Sequence, residues 1–451
     1  MGGLLVATLA RYGRTAFVSL GSRNYRLFFV GQLISVMGTW MQTIAQSFLV
    51  LQLTHSGTAL GLTVAARFLP IFLFGPWGGV IADRFDRRRT MYLTQSASAV
   101  LAAAFAVLVG AHVVQLFMVY LLALGLGFVN VFDNPTRQSL ISDLVPREQL
   151  SNAVLLNSIT INAARIFGAA VGGAIAASLG LALCFALNAL SFGAVVVTLV
   201  AMTSAQIARP PRAPRAPRQV RDGLRYVGRT PQLLLPLLMV AIVGALAWEF
   251  QVSLPLVASS TFHGGAGLYG GMTAVMGAGA VAGGLVSASR QHIGTRALGI
   301  SAAGWGLAII AAALAPTLPL EFAALVFVGY GSITFNAYAK ITMQLGSRPD
   351  MRGRVMALWA LAWVGSTPIG GPIVGWVGEQ FGARWSLLVG GVPTLIIGLA
   401  LYPMLSRLDR LDRHCSEDRR CSEHAEESPP VLRPDRLCSE HAEESPPSPR
   451  P

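Results

Sequence analysis

Arg67, Arg165 and Glu249 each stand inside a long apolar run of this 451-residue chain, and Asp133 and Arg137 stand at the end of another. A charge in such surroundings is costly, so a side chain kept there is a candidate for function. Glu249 is flanked by Trp248, Phe250 and Gln251. A carboxylate in a partly dry cavity favours its neutral form, and a neighbouring arginine favours the charged one. Protonation of Glu249 could therefore follow a conformational cycle, which makes it the proton-coupling candidate. The alternative is structural: an ion pair with Arg67 or Arg165 that ties helices together. Asn130, Gln251 and Asn336 join Arg67 and Arg165 as candidates to line a polar cavity. Trp40, Trp248, Phe250, Trp359 and Trp363 are candidate aromatic walls, or packing residues.

The elements that position these residues must be membrane helices. The composition is 53% hydrophobic and 12% charged, with 48 glycines, whereas a soluble domain carries about 25% charged residues. A spanning helix needs about 20 apolar residues. Such runs fall near 25–53, 58–82, 89–110, 113–136, 151–179 and 181–203, then near 232–260, 266–289, 296–316, 319–345, 354–378 and 383–405. The expected fold class is an all-α integral membrane protein, with twelve transmembrane helices as two pseudo-symmetric six-helix bundles over 25–203 and 232–405.

The remaining segments are polar. Residues 1–24 read as a retained cytoplasmic N-terminal tail and not a signal peptide. Residues 204–231 form a basic Pro/Arg-rich cytoplasmic linker with seven arginines, ending in a short amphipathic piece at 220–227. Residues 406–451 read as a disordered cytoplasmic tail, too polar to bury a core. That tail repeats CSEHAEESPP and so holds Cys421-x-x-His424 and Cys438-x-x-His441. Duplication produces these pairs without a metal, and neither metal nor cofactor is expected. A net charge of +13 would suggest a nucleic-acid partner in a soluble protein. Here the arginines gather in alternate loops, with Arg384 the exception. The positive-inside rule then places both termini in the cytoplasm, where the tail cysteines stay reduced.

The halves also repeat. Gly125-Leu-Gly127 matches Gly329-Tyr-Gly331, Pro146 matches Pro349, and Gly168…Gly172 matches Gly371…Gly375, all offset by 203 or 204 residues. A six-helix repeat is a transporter plan, with the substrate held between the repeats.

Between the second and third runs stands Gly79-Val-Ile-Ala-Asp83-Arg84-Phe85-Asp86-Arg87-Arg88. It resembles the signature loop of the major facilitator superfamily, Gly-x-x-x-Asp-Arg/Lys-x-Gly-Arg/Lys-Arg/Lys, with Asp86 where the family usually has glycine. The resemblance implies that Gly79 lets the second and eleventh helices approach. It implies that Asp83 caps the start of the eleventh helix near Arg354, and that Arg87 pairs with Asp133 of the fourth. With Arg84, Arg88 and Arg137 these residues would form a cytoplasmic gate. The alternative is a topogenic basic loop. Gly168-Ala169-Ala170-Val171-Gly172-Gly173 is similar to the family's antiporter signature, with Ala169 in place of proline. Gly371-Pro372-Ile373-Val374-Gly375 keeps the proline, and the resemblance implies a bend there. The alternative for both is a packing face of small residues. Phe132-Asp133-Asn134-Pro135 and Glu249-Phe-Gln251-Val-Ser-Leu-Pro255 look like the enterobactin-exporter-like branch, which includes drug exporters. The likeness covers roughly residues 20–405.

No Gly-x-x-x-x-Gly-Lys-Ser/Thr segment is present, which argues against ATP-driven transport by this chain. The reading is a secondary transporter and not an enzyme. It is a multi-pass protein of the bacterial inner membrane, expected to be a monomer. The resemblance implies proton-driven export, by alternating access, of a small hydrophobic or amphipathic molecule of drug or siderophore type. The rivals are a lipid or lysophospholipid flippase on the same fold, and a non-transporting membrane scaffold or receptor. The arginine asymmetry is directly testable. Reporter fusions at Ala213 and after residue 410 should both read cytoplasmic, and an external reading at either overturns the orientation.

Overall fold

The computed structural model describes residues 17–203, 219–289 and 295–427, with side chains throughout except at 76, 79–83, 219–221, 231 and 408–427. Twelve helices are long and apolar enough to cross a membrane, and no strand occurs among the described residues. In hydrocarbon every backbone polar group needs a partner within its own segment or a closed barrel. A chain this apolar and this rich in glycine meets that demand with helices.

The first six spans are Arg23–Thr54, Gly57–Arg84, Arg87–Gly110, Leu116–Leu144, Leu150–Ser178 and Leu181–Ala201. The last six are Gln232–Thr261, Ala266–Ser289, Thr295–Leu314, Leu318–Leu345, Arg352–Phe381 and Ala383–Arg407. Packing within the halves follows one scheme. The second span packs on the fourth and the third on the sixth; likewise the eighth packs on the tenth and the ninth on the twelfth. The first span meets the fifth and sixth, as the seventh meets the eleventh and twelfth. Each bundle is therefore a copy of the other.

Between the halves two seams dominate: the second span against the eleventh, and the fifth against the eighth. The repeat exchanges these two pairs. Both seams are built from glycine. Gly57 backs onto the Gly375 carbonyl and Gly61 onto that of Gly371, so closely that a Cβ at either would overlap backbone. Across the other seam Gly173 meets Gly270, and Gly270 faces the Ala169 carbonyl. Small residues let backbones approach and supply the packing that lipid-embedded helices need.

Both seams lie on the face opposite to the start of the first span, here called the far face. The start of the first span marks the tail face. One apolar core joins the two halves on the far side, where Phe48 and Ala169 share it with Phe250 and Tyr269. Phe48 stacks on Tyr269 with ring centroids 6.2 Å apart. On the tail side the cores are separate. Tyr25, Phe28, Met91 and Leu140 gather in the first half, and Val227, Leu233, Met343 and Val355 in the second. Among the described residues, the glycine crossings that join the bundles lie on the far face, whereas these two tail-face clusters each belong to a single bundle.

Two outer segments add detail. The ten-residue helix Gln219–Gly228 docks on the second half through Val227, and Asp222 lies 3.8 Å from Arg354. The last helix continues from Ala383 to Glu427, into the stretch expected from sequence to be a disordered tail. Its Leu, Arg and Glu content favours helix, so the backbone carries the twelfth span's geometry onward. Cys438 and His441 lie outside the described residues, as do the side chains of Cys421 and His424.

Glu379 closes the far face. Its Oε2 accepts from Ser56 Oγ at 2.6 Å and from Thr58 N at 2.8 Å. A carboxylate from the eleventh span therefore caps the start of the second, where the helix dipole favours negative charge by about 0.3–1 kcal/mol at an exposed site. Glu379→Gln should shift the balance toward far-face opening by roughly two- to fivefold, from about 1.4 kcal/mol per tenfold. Spin labels at Leu53→Cys and Phe381→Cys would report it as a growing long-distance population. An unchanged distribution would leave the cap without a closing role.

Candidate transport site

A small, partly open cavity lies between the halves. Trp40 from the first span and Arg165 from the fifth form its wall on one side. The seventh span supplies Trp248, Phe250, Gln251 and Leu254, and the eighth supplies Tyr269, Thr273 and Met276; the tenth adds Ser332. Of the residues singled out from sequence, Arg165, Gln251, Trp40, Trp248 and Phe250 meet here. Arg67 is half-buried and donates to Thr43 Oγ1 at 3.3 Å. Asn130 donates to the Leu126 carbonyl of its own helix. Neither of these, nor Asn336, is on this wall. Trp359 and Trp363 stack on each other behind it, with Trp363 packed on Trp248 at 4.6 Å. Tyr269, Thr273 and Ser332 went unnoticed in the sequence, because a hydroxyl on a small or aromatic residue barely perturbs an apolar helix pattern.

Glu249 is buried, with 3% exposure, but it does not face this cavity. The seventh span is broken at Trp248 and Glu249, between the helices Pro231–Ala247 and Phe250–Leu256. The eleventh is broken at Gly365 and Ser366, between Arg352–Val364 and Thr367–Phe381. The carboxyl of Glu249 reaches across to Thr367 at the second break. Its Oε2 also lies beside Gly371, and its Oε1 is buried without a partner. Neither Arg67 nor Arg165 pairs with it among the described residues. The ion-pair alternative drawn from sequence is therefore corrected: the seventh span turns the acid toward Thr367 and Gly371 of the eleventh, with no ion pair to either arginine among the described residues.

The expected bend at Pro372 also moves. Pro372 lies within the helix Thr367–Phe381, and the break comes earlier, at the helix whose first turn holds Pro368. A proline lacks the N–H that would bond the carbonyl four residues back, and it is tolerated in a first turn. Gly371 and Gly375 serve the seam with the second span. Gly168 and Gly172 back onto Met37 and Met41 of the first span. The motif of the fifth span is thus a two-sided packing face.

The basic loop departs from expectation at one pair. Arg87 Nη1 lies 2.5 Å from Asp143 Oδ1, not on Asp133. Asp133 stands ten residues earlier in the fourth span, about 15 Å deeper at 1.5 Å per residue. There it accepts from Thr94 Oγ1 at 2.7 Å and Gln95 Nε2 at 2.8 Å, with Arg137 Nε at 4.0 Å. Arg137 also reaches Asn134 and Gln32. Asp133 and Arg137 thus knit the first half together internally. Asp86, the departure from the motif, caps the third span by accepting from Arg89 N at 2.9 Å. Arg88 binds the Leu199 and Val200 carbonyls at the end of the sixth span. Arg84 is exposed at the end of the second span. The side chains of Gly79 and Asp83 lie outside those described.

The sequence matches the transmembrane secretion effector family over residues 14–433. The chain belongs to that family, within the major facilitator superfamily. It is 22% identical over 382 residues to the staphyloferrin A transporter of Staphylococcus aureus, covering 84% of this chain and 95% of that one. It is 26% identical over 393 residues to the enterobactin exporter EntS of Shigella flexneri, covering 86% and 92%. Its fold is similar to that of a bacterial homologue of the human lysosomal transporter Spinster, with TM-score 0.68 and 18% identity. That likeness covers 86% of this chain and 97% of the other. This member of the superfamily is a multi-pass secondary transporter of the inner membrane.

The Arg87–Asp143 pair yields an asymmetric prediction. Asp143 is more deeply buried than Arg87, so Arg87→Ala strands the less hydrated partner, at about 1–3 kcal/mol. Asp143→Asn leaves Arg87 near water and the Ser139 carbonyl and should cost less. Thermal unfolding in detergent should rank Arg87→Ala below Asp143→Asn. Equal melting temperatures in both variants and the parent would deny the pair a structural role.

Proposed function

We propose that this protein is a proton-driven exporter of small amphipathic molecules of drug or siderophore type. It works by alternating access between its two bundles, with both termini in the cytoplasm. The observation that carries the reading is the cavity between the halves, sealed on the far face by the glycine seams and bounded by aromatic and polar groups from both bundles. With the tails inside, the described arrangement is the one that loads from the cytoplasm. The siderophore transport named for two relatives supports a cargo of that kind. A solid centre, as a scaffold would have, is at odds with the cavity.

Proton coupling is assigned to Glu249. It sits where two broken spans meet, buried beside Thr367 and one residue from the cavity wall on either side. Half-helices facing one another near the midplane are where transporters place coupling groups. Taking up a proton there removes a buried charge, and losing it restores one; either event changes the cost of packing the eleventh span against the seventh.

Cells with and without the gene should differ in accumulation of amphipathic compounds, with lower internal levels when it is present. In proteoliposomes, Glu249→Gln should remain folded, because no arginine is left stranded. Exchange of labelled for unlabelled substrate should persist, while uphill transport driven by a pH gradient should fail. A stable variant that keeps parental gradient-driven transport would remove Glu249 from coupling.

A further inference from the structure

Arg165 lies midway along the fifth span and is 7% exposed. Its Nε and Nη2 are buried without a hydrogen-bond partner. It forms no ion pair among the described residues. Other arginines of the chain are answered: Arg87 by Asp143, Arg137 by Asn134 and Asp133, Arg384 by the Ala315 carbonyl. A buried cation without an anion is strongly unfavourable. Arg87, Arg137 and Arg384 each have a partner within the chain, whereas Nε and Nη2 of the buried Arg165 have none among the described residues, which suits a partner that is not part of the chain.

The surroundings define that partner. Arg165 shares its cavity with Trp40, Trp248, Phe250 and Tyr269, and with the hydroxyls of Thr273 and Ser332. No carboxylate lines the wall, since Glu249 is turned toward Thr367. The geometry points to an anion subsite: Arg165 binds the carboxylate, or a similar two-oxygen anion, of a cargo whose aromatic body rests against the tryptophans and Phe250. The planar fork of a guanidinium matches two oxygens at once, which an ammonium cannot do. Flat apolar faces on Trp and Phe favour an aromatic ring over a flexible chain of equal area. The inference rests on the export reading and adds the charge and shape of the cargo. Because Arg165 belongs to one bundle and most of the aromatic wall to the other, such a molecule would touch both halves at once.

The test uses the full chain purified in detergent and three probes of one shape, at neutral pH: 2-naphthoate, 2-naphthamide and 2-naphthylmethylammonium. Calorimetric titration of the parent should show the carboxylate binding at least tenfold more tightly than the amide, with the ammonium weakest. Arg165→Gln should bind carboxylate and amide alike, with amide affinity unchanged within twofold. Arg165→Lys, which keeps the charge but not the fork, should retain part of the preference. Removing an unpaired cation should leave the melting temperature of the empty protein at or above the parent's. Equal binding of carboxylate and amide by the parent, or a preference that survives in Arg165→Gln, overturns the subsite. So does an Arg165→Gln protein that melts early and loses the amide too, which would make the arginine structural. The export reading fails separately. If cells show no accumulation difference for any compound while the naphthoate preference holds, export falls and the subsite stands. If neutral compounds are exported and no preference is found, the reverse is true.

Discussion

Everything about this molecule's two-part behaviour depends on backbone touching backbone at the Gly61–Gly371 and Gly173–Gly270 crossings. Lipid tails are as apolar as a helix surface, so burial alone gives two bundles no reason to associate. Contact must come from close packing, and close packing needs the missing side chains. Dispersion is short-ranged, and a gap of 0.5–1 Å already forfeits a quarter to a half of it. A seam of this kind is either closed or lost, with little in between. The repeat places one such seam on each side of the far face, related by the same symmetry that relates the bundles. The Glu379 cap on the second span adds charge to the closed arrangement without adding bulk to the crossing.

Most interior polarity is spent inside one bundle. Gln42 accepts from Asn188 at 2.6 Å. Asp133 is held by Thr94 and Gln95, and Arg137 by Asn134 and Gln32. Bonds of this kind, made in the absence of water, tie the helices of each half to one another. The tail face shows the consequence: each bundle has its own apolar cluster there, and the helix Gln219–Gly228 rides on the second. Against that background the orphaned atoms stand out. A buried polar group without a partner calls for an explanation, and Arg165 and Glu249 both sit where the halves meet.

The bundle architecture was legible because membrane helices write themselves in run length, and because the repeat keeps its glycines at an offset of 203 or 204 residues. The cavity was legible in part. Arg165 and Gln251 are conspicuous inside apolar runs, and the tryptophans are few. Tyr269, Thr273 and Ser332 were not legible, since nothing in their spacing separates a cavity hydroxyl from one bonded to its own helix. The partner of Arg87 is ambiguous in sequence because Asp133 and Asp143 both follow the motif in the fourth span. Depth decides between them: Arg87 starts the third span and Asp143 all but ends the fourth, so they share a level. The breaks at Trp248 and Gly365 left no trace at all in hydropathy, because the residues on both sides remain apolar. Pro368, in the first turn after the second break, is the sequence feature that marks it, while Pro372 lies within the helix that follows.

The placement of Glu249 links these observations physically. Trp248, Phe250 and Gln251 face the cavity, while the carboxyl between them faces Thr367 and Gly371. The Gly61 carbonyl and Glu249 Oε2 both lie against the position that a side chain at Gly371 would take. A change in the acid's charge therefore acts on the same helix turn that makes the seam. Trp248 and Phe250 of the aromatic wall belong to the same short segment that carries the acid. The break in each span matters for this reason. An unbroken helix resists rotation of one residue against the next, and the break at Trp248–Glu249 removes that constraint between Pro231–Ala247 and Phe250–Leu256. Cavity, acid and seam are then three faces of one joint, close enough that no long pathway is needed to couple them.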